Sequence, residues 1–279
     1  MASSTPAADS AEAVVICTHD DSELGAITKQ RVQAVIYIPP VLPAWFSVLA
    51  SAVQDGSFHI PRTVLPNLSR NAIDDWLDQN LPDAMVETGL RVSLKDDIVG
   101  LVDRLGSLSG ATRFMLRIFT DAPTNDCGFH VDSVPPGAST YGFLRVYNGP
   151  GTEYVEPANV SGMTEFYRYL SRRERLVRES KAASTDGRAD DLAGLKRAIS
   201  ALDHDKAFLV HRGEIKVAPA GSIVAFKHID IRYHWSDHDK ALAWIHCSPM
   251  AGQPRLVVNV TAPERVLRIV PPARRGMPR

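Results

Sequence analysis

The sequence predicts a mixed α/β protein with a sheet-rich core in its second half, a mixed helical region before that core and a helical insertion within it. Three observations carry this expectation. Runs of β-branched and aromatic residues at 113–119 and 141–147 have strand character, with Gly- and Pro-rich turns between and after them. The pattern becomes helical from about 163 to 202. Strand character then returns, most plainly at 222–226 and 255–260.

In chain order, residues 1–12 are small and polar without periodicity and read as a tail. The region 13–110 is expected to lay helices against a sheet. Within it, Val32-Gln-Ala-Val-Ile-Tyr-Ile38 reads as a strand stopped by Pro39 and Pro40, and 44–53, 74–81 and 93–105 read as helices. The core spans 111–265, with the insertion at about 160–206 broken at Ser184-Thr-Asp-Gly-Arg188. Further strands are expected at 207–210, 215–217 and 241–246, and the segment 266–279 reads as a second tail. No internal repeat is visible.

The 279 residues suffice to bury a substantial core. With 31 Lys plus Arg against 32 Asp plus Glu, the formal charge of -1 gives no global electrostatic case for nucleic acid or an anionic membrane as partner. The opening lacks the basic start and apolar core of a secretory signal, and no run of 18 apolar residues occurs, so the expectation is a soluble cytoplasmic protein. Cys17, Cys127 and Cys247 are too few and too scattered for a disulfide framework.

The chemistry concentrates in Gly128-Phe-His-Val-Asp132 and, 114 positions beyond Asp132, in His246-Cys-Ser-Pro. His130 and Asp132 stand two apart in an extended segment and so point to one side. With a distant histidine they can take three corners on one face of an octahedral metal, the pattern of non-haem Fe(II) oxygenases, leaving corners for an organic cosubstrate and dioxygen. Arg255, nine residues after His246 at the start of an apolar strand, offers a planar fork suited to a carboxylate.

With these residues the chain resembles the Fe(II)- and 2-oxoglutarate-dependent dioxygenase superfamily, particularly its prolyl-hydroxylase-like branch. The resemblance covers about 113–262 and includes Tyr147-Asn-Gly-Pro-Gly-Thr152 and Gly221-Ser-Ile-Val-Ala-Phe226. More closely, 117–132 together with His246-Cys-Ser-Pro is similar to the bacterial DUF1826 family. The superfamily resemblance implies a double-stranded β-helix (jelly-roll, cupin-like) core, with iron held by His130, Asp132 and His246 and the distal carboxylate of 2-oxoglutarate held by Arg255. It implies an oxidoreductase that consumes dioxygen, releases succinate and CO2 and hydroxylates a small-molecule or peptide substrate. Tyr147 and Arg145, on one face of their strand, are the candidates for a further cosubstrate contact.

Other readings stand beside this one. A cupin-like metalloenzyme without 2-oxoglutarate, or a non-catalytic metal-binding protein, would use the same ligands. Cys127 and Cys247 could enter a mixed zinc site, although Cys247 should point away from the side that His246 faces. His228-Ile-Asp230 is a second H-x-D, and the spacing of His234 and His238 would align them on a helix, but 228–238 reads better as a polar loop near the mouth of the site. Arg117 and Arg145 are either solvent-facing or substrate-binding. Arg172, Arg173, Arg175 and Arg178 read as a solvated helix face, and Tyr233, Trp235 and Trp244 as either entrance or packing residues.

Overall fold

The computed structural model describes residues 12–82, 89–124 and 127–262, so the two tail readings, Glu12 apart, lie outside the described residues. The first part of the chain runs β1 (Val14–Thr18), β2 (Val32–Tyr37), α1 (Trp45–Gln54), β3 (Thr63–Ser69), α2 (Arg70–Asn80) and α3 (Leu90–Ser109). Next come β4 (Arg113–Asp121), β5 (Ser133–Val134), β6 (Tyr141–Val146), β7 (Thr152–Tyr154), α4 (Met163–Thr185) and α5 (Ala189–Asp205). The chain then continues through β8 (Lys216–Ala218), β9 (Ile223–Lys227), β10 (Ile229–Asp230), β11 (His246–Cys247) and β12 (Arg255–Thr261).

Seven strands form one sheet in the order β1-β2-β9-β6-β12-β4-β3, antiparallel throughout except for the parallel β1/β2 pair. β12 lies inside this sheet and is buried at every position from Arg255 to Thr261. A second sheet, β11-β7-β8, faces the first, and β5 pairs with β10 alongside.

Alternation along each strand sorts side chains between two cores. On one face Val35, Phe143, Tyr147, Ala225, Val258 and Val260 pack against α1, α2 and α3. The α3 stripe Leu94, Ile98, Leu101 and Leu105 recurs at helical spacing, and each side chain is almost fully buried, contributing roughly 1.5–3 kcal/mol. Gly110, at φ 69°, closes that helix by donating its N–H to the carbonyl of Gly106 at 2.8 Å. On the opposite face Ala34, Ile36, Leu144, Val146, Val224, Phe226 and Val257 meet Tyr154, Ala218 and Trp244 of the small-sheet side. Behind the small sheet, α4 packs on Phe129, Val131, Val155, Ile245 and Cys247.

Four layers result: helices, large sheet, small sheet, and the α4/α5 pair. The expected mixed α/β architecture is present, as are the N-terminal helices and the insertion broken near residue 186. Two expected strands are not formed. Residues 207–210 make turns with a single bridge from Leu209 to Val160, and 241–246 starts in a short 3-10 turn, Lys240–Leu242, and reaches strand only at His246 in β11. That turn is set by Asp239, whose Oδ1 accepts from the Ala241 N–H at 2.9 Å. The expected solvated face of α4 also has an exception: Arg173 is buried in a two-bond pair with Asp203, at 2.8 and 2.9 Å, which ties α4 to α5.

Candidate metal centre

Main-chain pairing brings the two histidines together. His130 donates to the carbonyl of His246 at 2.9 Å and His246 donates back at 3.0 Å, an isolated antiparallel bridge. Directly opposed residues project to the same face, and the imidazole centroids lie 4.5 Å apart. Asp132 follows two positions later on that face, its carbonyl held by the Ile229 N–H at 2.8 Å. His130 Nε2 is 3.7 Å and His246 Nε2 is 3.9 Å from Asp132 carboxylate oxygens, and one ligand atom from each of the three lies within 4.8 Å of the others.

The rings are oriented by their other nitrogens. His130 Nδ1 is 2.9 Å from the carbonyl of Gly128, and His246 Nδ1 is 3.1 Å from that of Trp244. A carbonyl can only accept, so Nδ1 carries the proton in both contacts and Nε2 is the nitrogen turned toward Asp132, the second-sphere arrangement that a histidine ligand uses. Trp244 stacks on His246 with centroids 4.4 Å apart.

Charge is unevenly shared. Burial drives His246 toward the neutral form, to a pKa of about 4, helped by the neighbouring His130. Burial acts the same way on His130, but its contacts with Cys127 and Asp132 prevail and raise it to about 9. Burial disfavours the Asp132 carboxylate, yet His246, His130 and His228 hold it anionic, at about 2. A divalent cation would take over the neutralising role of the proton on His130.

His130, Asp132 and His246 open into a cavity of about 250 Å³ that Arg255 also lines. Arg255 is 3% exposed, and burial lowers its pKa to about 10. Its Nη1 donates to the carbonyl of Pro150 at 2.9 Å and lies 3.5 Å from that of Gly151. Among the described residues no carboxylate forms an ion pair with it.

Arg145 and Tyr147 are not at this cavity, and the expectation for them is corrected. Leu144 lines the cavity, so alternation sends 145 and 147 to the helical face. There Arg145 Nη1 and the Tyr147 hydroxyl each donate to Asp97 on α3 at 2.7 Å.

The zinc alternative does not assemble. Cys127 Sγ is 3.3 Å from His130 Nδ1, the nitrogen facing away from Asp132, and Cys247 Sγ donates to Glu153 Oε2 at 3.5 Å. Burial raises the Cys247 thiol far above its usual range.

The sequence pattern puts His228 in a polar loop near the mouth of the site, and the structure corrects this too. It is 2% exposed, with Nε2 3.9 Å from Asp132 Oδ2 and Nδ1 without a hydrogen-bond partner. Room for its ring comes from Gly142, where a Cβ would overlap His228 Cε1. The H-x-D spelling at 228–230 was the available signal, but Asp230 turns outward to Arg232. His234 and His238 sit in a turn-rich segment rather than a helix, and the Tyr167 hydroxyl is 2.8 Å from His238 Nε2. Tyr233 and Trp235 are exposed in that segment, whereas Trp244 is fully buried.

Among the described residues no helix is long and apolar enough to cross a membrane. No family model and no curated protein matches the chain. Two solved structures are similar over most of its length. One is a dioxygenase for auxin oxidation from rice, 11% identical, with a TM-score of 0.40, covering 91% of this chain and 84% of that one. The other is dioxygenase for auxin oxidation 1 from Arabidopsis thaliana in a binary complex with 2-oxoglutarate, 12% identical, with a TM-score of 0.40, covering 90% of this chain and 92% of that one. Similarity at this level assigns no activity.

Proposed function

We propose that this protein is an Fe(II)- and 2-oxoglutarate-dependent oxygenase of the DUF1826 kind, with its two facing sheets forming a double-stranded β-helix. One observation carries the proposal: a buried guanidinium with no ion pair among the described residues, Arg255, shares a small cavity with a two-histidine, one-carboxylate cluster. The donor set fits the metal, since two imidazole Nε2 atoms and one carboxylate make the facial triad of non-haem iron. His130, Asp132 and His246 would hold it, with the Gly128 and Trp244 carbonyls fixing the imidazoles.

When bound, Fe(II) with 2-oxoglutarate supplies dioxygen activation coupled to oxidative decarboxylation, which gives succinate and CO2 and hydroxylates the substrate. The protein contributes position. Arg255, already desolvated and anchored on the Pro150 carbonyl, would receive the distal carboxylate with little loss of conformational freedom. Leu144 and Val257 present apolar walls that limit water in the cavity.

The test is anaerobic titration with Fe(II) and then 2-oxoglutarate, following the visible charge-transfer band in wild type and in Arg255→Gln. The expected result is a band in wild type and about tenfold or greater loss of 2-oxoglutarate affinity in the variant. Iron binding without any band would sink the cosubstrate assignment.

A further inference from the structure

The cavity is lined by a polar pair, exposed Arg117 and buried Asn259, that supplies no ligand to the triad. Alternation on β4 sends Arg117, Phe119 and Asp121 into the cavity, and on β12 it sends Arg255, Val257 and Asn259. Register places Asn259 directly opposite Arg117. Opposed antiparallel residues have Cβ atoms about 5 Å apart, so the two side chains leave the sheet side by side.

Asn259 is 8% exposed, and its Oδ1 has no hydrogen-bond partner. A buried acceptor without a donor is uncommon in folded proteins and calls for a group that completes it. Arg117 is exposed at the cavity and, among the described residues, has neither an ion pair nor a hydrogen bond, although its charge helps hold Asp132 anionic. The other charges around the cavity are already engaged. Arg62 pairs with Asp121 at 3.1 Å and lies 3.9 Å from the centre of the Phe119 ring, and Asp132 belongs to the triad. With Arg255 committed to 2-oxoglutarate, Arg117 is the cation left for the other ligand.

We infer that the substrate presents an α-amino-acid head group, its carboxylate on Arg117 and its adjacent N–H on Asn259 Oδ1. The inference rests on the oxygenase reading, which assigns Arg255 to the cosubstrate. A free amino acid and the C-terminal residue of a peptide share this chemistry, the N–H being an ammonium in one and an amide in the other. Arg117 and Asn259 are then binding residues that choose the substrate without touching the metal.

The experiment measures, by calorimetry, the binding of L-amino acids, their N-acetyl derivatives and their primary amides. Wild type, Arg117→Gln, Arg117→Lys and Asn259→Leu are compared, each with and without Fe(II) and 2-oxoglutarate under anaerobic conditions. At least one acid is expected to bind about tenfold or more tightly than its amide, and Arg117→Gln to erase that preference. Arg117→Lys should restore part of it, and Asn259→Leu should weaken the acid and its amide alike. The 2-oxoglutarate band should persist in all three variants. Preference for the free acid over its N-acetyl form identifies a free amino acid, and the reverse identifies a peptide end.

The inference is overturned if no acid outbinds its amide, if Arg117→Gln leaves the preference intact, or if Arg117→Gln removes the 2-oxoglutarate band instead. Failure of the oxygenase reading looks different. There the wild type shows no band, while any Arg117-dependent preference measured without iron still reports the head-group site.

Discussion

Gly128 lies directly against Arg173: a Cβ at position 128 would overlap Arg173 Nε and stand 2.6 Å from the Tyr169 hydroxyl. Arg173 cannot easily withdraw, because Asp203 holds it by two hydrogen bonds and the Tyr169 hydroxyl donates to the same carboxylate at 2.8 Å. Through Gly128 the insertion braces the ligand segment, whose His130 ring rests on the Gly128 carbonyl.

Gly128→Ala should therefore cost about 1–3 kcal/mol of stability by overpacking. It should also weaken Fe(II) binding, since the carbonyl that orients His130 is displaced. Urea denaturation and an anaerobic metal-competition titration check the two effects separately. Lost stability with unchanged iron affinity would show that the loop relaxes without moving His130.

His228→Ala should weaken Fe(II) binding by about tenfold, the lower range for residues that support a ligand from behind. The basis is its buried Nε2, 3.9 Å from Asp132 Oδ2. Gly142→Ala should act in the same direction by displacing the ring. Unchanged affinity in both variants would reduce His228 to a packing residue.

Cys247→Ala should leave iron affinity within about twofold of wild type, whereas Asp132→Ala should abolish binding. The contrast follows from Cys247 pointing to Glu153 rather than to the triad. Metal titration monitored against zinc and Fe(II) decides it. Loss of binding in Cys247→Ala would return the mixed thiolate site to consideration.

Asp97→Ala should destabilise by roughly 3 kcal/mol, because it strands the Arg145 guanidinium, whose side chain is only 6% exposed. The 2-oxoglutarate band should be unaffected, as Arg145 and Tyr147 lie on the helical face. Urea denaturation and the band titration give the two readouts. A lost band in a folded variant would restore these residues to the cosubstrate site.

The same carboxyl sets a pH dependence. Burial raises Asp97 above its ordinary 3.8, against the opposing pull of Arg145 and the Tyr147 hydroxyl. Folding then favours its protonated form, so its contribution is complete below the unfolded value and declines as pH rises through the folded one. Wild type should accordingly lose stability relative to Asp97→Asn as pH climbs from acid toward neutral. Urea titrations across that range measure it, and parallel curves for the two proteins would refute the sign.

The clustering of His130, Asp132 and His246 with Arg255 beside them was legible because residue type and a two-residue spacing carry their chemistry, and because Arg255 opens the mostly apolar strand β12. The orientation of Arg145 and Tyr147 was not. Five of the six β6 residues are buried and the sixth is half-buried, so the strand has no polar side to reveal which face meets the cavity. His228 was hidden for a related reason: it continues the wholly buried β9 and its neighbours resemble a loop only from residue 231 onward. β11, at two residues, is too short for any periodicity to register.

The reciprocal bridge between His130 and His246 also governs timing. The two halves of the cluster are separated by β5 through β10 and both insertion helices, so a chain emerging during synthesis holds His130 and Asp132 long before their third partner exists. Closure over so long a loop is a late folding event. Iron capture would then be a report that folding has finished, and partly folded chains would be spared a reactive metal in an unfinished pocket.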